Sequence, residues 1–140
     1  MFTDIKDHLD NPVVREILAE CVFDNSPEGL DNKAAEYRRK ESWHLYGWVE
    51  DGEILGVCGF EAHTDWVEIL HIAVARHAQR HGIGGAMVRA LRETYKITVE
   101  AETDDDAVEF YRKCGFETTA MQKYNVRRWV CVLHPAKNST

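Results

Sequence analysis

The sequence lacks the features typical of transmembrane proteins, of secreted proteins and of proteins held together by disulfides or metals. No stretch of about 18 or more apolar residues occurs, so no transmembrane helix is expected. The first residues lack the basic and then apolar segments of a secretory signal, so a cytoplasmic location is expected. The cysteines are far apart and form no CxxC pair; we therefore expect reduced thiols and no metal site. They are Cys21, Cys58, Cys114 and Cys131.

Positive charge is also scarce, with 17 Lys and Arg against 24 Asp and Glu and a net charge of -7. Nucleic-acid-binding domains are normally basic, so neither nucleic acid nor a membrane is expected as a partner. The charge is unevenly distributed, because residues 71–96 carry five basic side chains and one acidic one, Glu93. An otherwise acidic chain, suited to a cationic partner such as an amine, is therefore predicted to contain one anion site.

The chain length of 140 residues suits one domain, and an apolar content of 44% suffices for a hydrophobic core. We expect a single domain over residues 1–140. Its core is predicted over about residues 12–133, followed by a polar tail over residues 134–140. No clear strand is visible before Pro12.

The hydrophobic pattern predicts the order of the elements. A helix is predicted from Pro12 and, after a turn, a polar helix over about residues 32–41. Asp51-Gly52 between two apolar runs indicates a hairpin, and the nearly apolar residues 66–74 indicate a central strand. The remaining pattern is helix, strand, helix and two strands. The order predicts an α/β (α+β) fold with a single mixed, mainly antiparallel sheet flanked by helices.

Residues 68–91 combine a buried strand, a basic loop and a glycine-rich helix start. Free N–H groups at a helix N-terminus bind anions, and Gly82, Gly84 and Gly85 would let a phosphate approach the backbone. A Walker A loop would need Lys-Ser or Lys-Thr after the glycines, and a dinucleotide fingerprint would need glycine instead of Met87. The segment therefore predicts a phosphate-bearing ligand but fits neither nucleotide motif.

Two short motifs occur in this half of the chain. Residues 79–84, QRHGIG, fit the pattern Q/R-x-x-G-x-G/A, and residues 107–116, AVEFYRKCGF, fit A-x-x-F-Y-x-x-x-G-F. In this order they resemble the two signatures of the GNAT superfamily of acyl-CoA-dependent N-acetyltransferases. The resemblance implies a GNAT-like acyl-CoA N-acyltransferase fold, with acetyl-CoA as co-substrate and an amine as acceptor.

The resemblance also implies how acetyl-CoA is held. Backbone N–H groups around Arg80, Gly82, Gly84 and Gly85 would bind the pyrophosphate, and residues 72–74 would bind the pantetheine arm as an added strand. The implied cofactor-binding residues are Ile72, Ala73, Val74, Gln79, Arg80, His81, Gly82, Ile83, Gly84, Gly85, Asp104 and Phe110. The family often has Asn at position 104, whereas Asp104 can cap a helix but has no amide donor. Phe110 is expected to pack in the core as well.

Attack of an amine on a thioester needs a base, because a lysine-type amine has a pKa near about 10.4. Glu68 resembles the family's general base and is the one carboxylate in an apolar strand, where burial would raise its pKa. His71 is the rival. It is expected on the opposite face of the strand, unless a bulge intervenes. Tyr111 matches the family's general acid, which protonates the departing thiolate.

Several alternatives stay open from the sequence. If they are not catalytic, Glu68 is a solvent-facing glutamate and Tyr111 packs its ring at the edge of the sheet. His77 and His81 have the i, i+4 spacing of zinc ligands on a helix, but they lie in a predicted loop. The chain is predicted to be an N-acetyltransferase working by direct attack in a ternary complex. The rivals are a non-catalytic acyl-CoA-binding module and a nucleotide- or NAD-binding domain. Whether the acceptor is a small molecule or a protein amine stays open, and so does the formation of a homodimer.

Overall fold

The computed structural model describes residues 1–136. The strands are β1 (Phe2–Asp4), β2 (Trp43–Glu50), β3 (Glu53–Ala62), β4 (Trp66–Val74), β5 (Thr98–Thr103), β6 (Glu117–Lys123) and β7 (Val126–Leu133). The helices are α1 (Pro12–Leu18), α2 (Pro27–Arg39), α3 (Ile83–Tyr95) and α4 (Val108–Lys113), with single 3-10 turns at Lys6–His8 and Arg76–Ala78.

The strands form one seven-stranded sheet in the order β1-β2-β3-β4-β5-β7-β6. The pair β4 and β5 is parallel, and the other five neighbouring pairs are antiparallel. This arrangement confirms the predicted mixed, mainly antiparallel sheet flanked by helices.

Helices cover both faces of the sheet. Tyr37 of α2 packs over Gly59 of β3, whereas Ile83 and Met87 of α3 pack over Gly56 of the same strand. Positions 56 and 59 point to opposite faces because side chains alternate along a strand. The sheet therefore lies between α2 on one side and α3 on the other, and the fully buried side chains of both layers form one core.

The N-terminal part of the chain differs from the prediction. β1 precedes Pro12 and pairs with β2, and Ile5 and Leu9 are buried, so the core begins well before residue 12. Helix α2 starts at Pro27 because the Ser26 hydroxyl accepts the backbone N–H of Gly29. Residues 27–31, where the sequence predicts a turn, thus belong to α2.

Strand β4 contains a β-bulge at its centre. Ile69 pairs with Phe60 and His71 pairs with Gly59, so Leu70 is an extra residue without a partner on β3. An extra residue changes the alternation of side chains, which places His71 on the same face of the sheet as Glu68. The expectation that His71 lies on the opposite face of the strand from Glu68 is therefore wrong, because the strand contains this bulge.

Residues 134–136 are exposed and carry no helix or strand, while the rest of the predicted polar tail lies outside the described residues. Within residues 1–136, no helix combines the length and apolar character needed to cross a membrane.

Candidate active site

A cleft opens where β4 and β5 separate. The two strands pair in parallel from Trp66–Thr98 to Ile69–Ala101 and no further. Beyond that point lies a cleft of about 710 Å³ between Leu70–Val74 of β4 and the β5–α4 segment, which contributes Asp104 and Phe110. The edge of β4 facing β5 is therefore available to an extended ligand, as the pantetheine prediction requires.

The N-terminus of α3 lies beside the outer end of this cleft. Gly82 precedes the helix with φ of 79°, and no side chain caps the first turn. A side chain at Gly82 would have no atom within 4 Å, so this backbone is open to solvent. Arg80 is exposed and has φ of 68°, a left-handed conformation that helps turn the loop into the helix. These free N–H groups and the nearby guanidinium suit a phosphate group.

The other loop residues form its internal contacts. The Gln79 amide donates to the Val74 carbonyl at 3.1 Å, and His81 Nδ1 lies 3.1 Å from the Ala78 carbonyl oxygen. His77 pairs with Glu53 at 2.9 Å. Part of the positive segment found in the sequence is therefore paired locally, and His77 and His81 face separate partners.

Packing against Phe110 requires a glycine at position 84. A Cβ at this position would lie 2.8 Å from Cε1 of Phe110, whereas one at Gly85 would meet the mobile end of Arg89 at 3.3 Å. Close approach of a phosphate, which the sequence predicts for both glycines, stays a prediction. Phe110 packs against α3 and also lines the cleft, and its contact with the cofactor stays a prediction.

Asp104 lies at the start of the turn before α4. Its Oδ1 accepts the backbone N–H of Ala107 at 2.9 Å, and the residue lines the cleft. The carboxylate thus performs the capping role expected from the sequence.

Tyr111 reaches the cleft from α4. Its ring packs edge-on against Phe110 and Phe116, and burial raises the pKa of its hydroxyl. The hydroxyl has no protein partner among residues 1–136, yet no buried side-chain polar atom in that range lacks one. The Tyr111 hydroxyl is therefore accessible from the cleft rather than sealed in the core.

Glu68 lies on the paired part of β4, outside the cleft lining. Its neighbours in register are Glu61 on β3 and Glu100 on β5, so three carboxylates stand side by side on one face. Burial and these like charges raise the pKa of the Glu68 carboxyl above its ordinary value. Because of the bulge, His71 inside the cleft shares this face with Glu68.

One group of side chains near Glu68 is arranged like metal ligands. The donor atoms of Glu61, His63 and Glu68 lie within 4.8 Å of one another. The Ser42 hydroxyl donates to Oε2 of Glu61 at 3.1 Å, and the His63 ring stacks on Trp66. The sequence did not indicate this group, because its members come from two strands and the loop between them.

Comparisons with known proteins place the chain in a family. Residues 11–116 match the family model described as Acetyltransferase (GNAT) family. A relative in Bacillus methanolicus, an uncharacterized N-acetyltransferase from the lysA 3' region, is 33% identical over 86 residues, covering 61% of this chain and 71% of that protein. The chain therefore belongs to the GNAT acetyltransferase family. This membership confirms the resemblance found in the sequence and acetyl-CoA as co-substrate.

Solved structures have the same fold. A GNAT acetyltransferase from Elizabethkingia anophelis with acetyl-CoA bound has a TM-score of 0.70 at 19% identity, covering 96% of this chain and 97% of that chain. The Escherichia coli ribosomal-protein-S18-alanine N-acetyltransferase has a TM-score of 0.75 at 17% identity, covering 99% and 96%. An aminoglycoside 6'-N-acetyltransferase complexed with coenzyme A has a TM-score of 0.76 at 15% identity, covering 100% and 99%.

Proposed function

We propose that this protein transfers the acetyl group of acetyl-CoA to a primary amine by direct attack in a ternary complex. The observation that carries the proposal is the cleft between β4 and β5. It has an uncapped helix N-terminus at its outer end, and His71 and Tyr111 line it. Carboxylates stand beyond its inner end. Opposite charges at the two ends suit an anionic donor and a cationic acceptor.

Acetyl-CoA would be held by backbone groups more than by side chains. The free N–H groups of Gly82, Gly84 and Gly85, together with Arg80, would bind the pyrophosphate. The unpaired edge of residues 72–74 would hydrogen-bond the pantetheine amides as an added strand. The fit rests on two observations: α3 has no side-chain cap, and β4 has no partner on that edge within the described residues.

Glu68 is proposed as the base that takes one proton from the bound ammonium. Burial and the neighbouring carboxylates raise its pKa, which brings it closer to that of the amine it would deprotonate. The neutral nitrogen then attacks the carbonyl carbon, and the carbon–sulfur electron pair leaves with sulfur. The nitrogen's second proton goes to the thiolate, so each turnover releases one proton to water through Glu68.

Tyr111 is proposed to assist the departing sulfur. Burial keeps its hydroxyl protonated, so it can donate a hydrogen bond to the thiolate as charge develops. Full transfer from Tyr111 would be uphill, because its pKa is raised above that of an ordinary phenol and a thiol has a pKa near about 8.5. The second proton of the amine therefore goes to the sulfur, and Tyr111 keeps its own.

Thiol release from acetyl-CoA, screened over a library of primary amines, tests this function. We expect amine-dependent release, and Tyr111→Phe should lower kcat by about 10²-fold or more, at the low end of acid–base effects. Tyr124→Phe is the matched control because Tyr124 is exposed on the β6–β7 turn. Equal rates for Tyr111→Phe and wild type would remove Tyr111 from the mechanism.

A thermal-shift panel separates the alternatives. A ligand at 100 times its Kd stabilises the native state by about 2.7 kcal/mol. Protection by acetyl-CoA without any amine-dependent turnover would support a non-catalytic acyl-CoA-binding module. Protection by ATP or NAD but not by acetyl-CoA would support a nucleotide-binding domain and overturn our proposal.

The acceptor is proposed only as a primary amine. Two of the neighbours named above are an aminoglycoside and a ribosomal-protein acetyltransferase, whose acceptors are a small-molecule amine and a protein amine respectively. Both classes are compatible with the carboxylates around Glu68. The cytoplasmic location and a homodimer stay predictions.

A further inference from the structure

A buried tyrosine–histidine pair lies at the inner end of the cleft. Tyr37 on α2 is fully buried, and its hydroxyl oxygen lies 2.7 Å from Nδ1 of His71 on β4. Gly59 of β3 leaves room for this contact, because a Cβ there would overlap the Tyr37 hydroxyl. The pair therefore depends on three separate segments of the chain: helix α2, Gly59 of β3 and the bulge of β4.

The contact fixes which ring nitrogen of His71 carries hydrogen. Burial raises the pKa of Tyr37, so its hydroxyl keeps its proton and must donate it. Within residues 1–136 its one hydrogen-bond partner is His71 Nδ1. A neutral imidazole that accepts at Nδ1 carries its hydrogen on Nε2.

His71 is neutral under ordinary conditions. Burial, with a smaller contribution from the nearby Lys33, lowers the pKa of its ring to about 4, and Glu36 opposes this only in part. Both charged residues lie on α2, the helix that packs over the ring.

The Nε2–H group of His71 is open to the cleft. His71 lines the cleft where β4 and β5 separate, and Nε2 has no protein partner among the described residues. Since no buried side-chain polar atom in that range is unsatisfied, Nε2 must be accessible. An accessible N–H at this position has no lone pair with which to accept a proton.

Building on the proposed function, we propose that His71 is a catalytic hydrogen-bond donor whose Nε2–H stabilises the negative charge on the attacked carbonyl oxygen. Neutral imidazole can act in this way without transferring its proton. When the amine nitrogen forms its bond to carbon, the carbonyl electron pair moves to oxygen and the N–H of His71 contacts that charge. The pair returns as the carbon–sulfur bond breaks, and His71 keeps its proton throughout. Tyr37 is a positioning residue that holds the ring in this state.

This role removes His71 from the competition for general base. A base needs a free lone pair in the cleft, and Tyr37 directs the lone pair of His71 away from it. Glu68, on the same face of the sheet, is left as the proton acceptor.

The first test reads the ring directly, without catalysis. Nitrogen-15 NMR of the imidazole should show His71 as the neutral Nε2–H form between about pH 5.5 and 8. An ordinary histidine, with a pKa of about 6.5, would be largely imidazolium at the lower end of this range. Tyr37→Phe should give a mixture of the two neutral forms, and Tyr46→Phe, on the opposite face, should leave the signal unchanged. An Nδ1–H form, or an imidazolium at pH 6.5, in the wild-type protein would overturn the inference.

The second test separates donor from base. His71→Ala should lower kcat by about 10²- to 10³-fold with little change in KM for acetyl-CoA. His71→Gln, which keeps an N–H donor, should recover part of this loss and retain the wild-type dependence of kcat on pH. Unchanged kcat in His71→Ala, or loss of that pH dependence in His71→Gln, would contradict the donor role. If no amine supports turnover, the proposed function fails while the NMR result still stands.

Discussion

Strand β4 differs at its two ends in pairing and in charge. Around Glu68 it has a partner on each side, and the partners place Glu61 and Glu100 next to it. Around Val74 it pairs, within the described residues, with β3 alone; Gly84 of α3 lines the cleft there, and Gln79, next to Arg80, donates its side-chain amide to the Val74 carbonyl. The separation of β5 from β4 thus opens the cleft between the acidic end of β4 and the end proposed to bind the pyrophosphate. The net charge of -7 conceals this division.

The largest effect is expected at the acidic end of β4. Glu68→Gln should lower kcat by about 10²- to 10⁴-fold, because the variant cannot accept a proton. In wild type the rate should rise as pH increases through the raised pKa of Glu68, since the ionised form is the base. Steady-state rates from pH 5 to 9 measure both effects, and a variant that keeps the wild-type profile would exclude Glu68 as base.

Glu100→Gln is the matched control for that substitution. It removes a neighbouring charge that raises the pKa of Glu68, so the rise in rate should move to lower pH while the maximal kcat changes little. A loss as large as that of Glu68→Gln would mean that the whole row of carboxylates, not Glu68, carries the base function.

A smaller effect is expected at the basic end. Arg80→Glu should weaken CoA binding by about 10- to 100-fold, because hydrogen bonds to charged groups contribute about 1.5–3 kcal/mol. Both residues have a Cβ, so the left-handed backbone at position 80 is equally strained in each. Calorimetric titration measures the Kd. Arg92→Glu, in the last turn of α3 and roughly 15 Å from Gly82, is the control. Equal losses in both variants would indicate only a general charge effect.

The packing between the two ends can be tested through Gly84. Gly84→Ala should destabilise the fold by about 1–3 kcal/mol, since its methyl group would press on the Phe110 ring. Gly85→Ala should be nearly neutral because the Arg89 side chain can move. Urea denaturation measures both. Adding Phe110→Leu to Gly84→Ala should restore part of the lost stability. If it does not, the loss arises from the backbone at position 84 and not from contact with the Phe110 ring.

The smallest effect concerns the cap before α4. Asp104→Ala should cost about 1 kcal/mol of stability through loss of the bond to the Ala107 N–H. Asp104→Asn retains an accepting oxygen and should recover most of it, and it also offers an amide to the cleft. Thermal denaturation measures the cap; tighter CoA binding by the Asn variant would indicate that the position contacts the cofactor arm.

The C-terminal half of the fold was predictable because its signals are local. The glycine-rich start of α3, the capping Asp104 and the pattern of α4 lie within short segments. β1 was missed because three residues carry no measurable alternation. The start of α2 was missed because Ser26-Pro27 also occurs in turns.

The site was predictable only in part for the same reason. Tyr111 and the loop glycines belong to continuous motifs, whereas Tyr37 and His71 are 34 residues apart and meet through tertiary packing. The bulge at Leu70 left no mark in the sequence, because an apolar run without glycine has the pattern of a regular strand. That one extra residue decides which face His71 occupies.

A crystal structure of the CoA complex would show the position of the cofactor. We expect pyrophosphate oxygens within hydrogen-bond distance of the backbone N–H groups of Gly82, Gly84 and Gly85, with the pantetheine arm along residues 72–74. The sulfur should lie near Tyr111 and His71. A second cavity of about 590 Å³ lies between α1 and the β2–β3 turn. CoA bound there, with the cleft between β4 and β5 empty, would contradict the account.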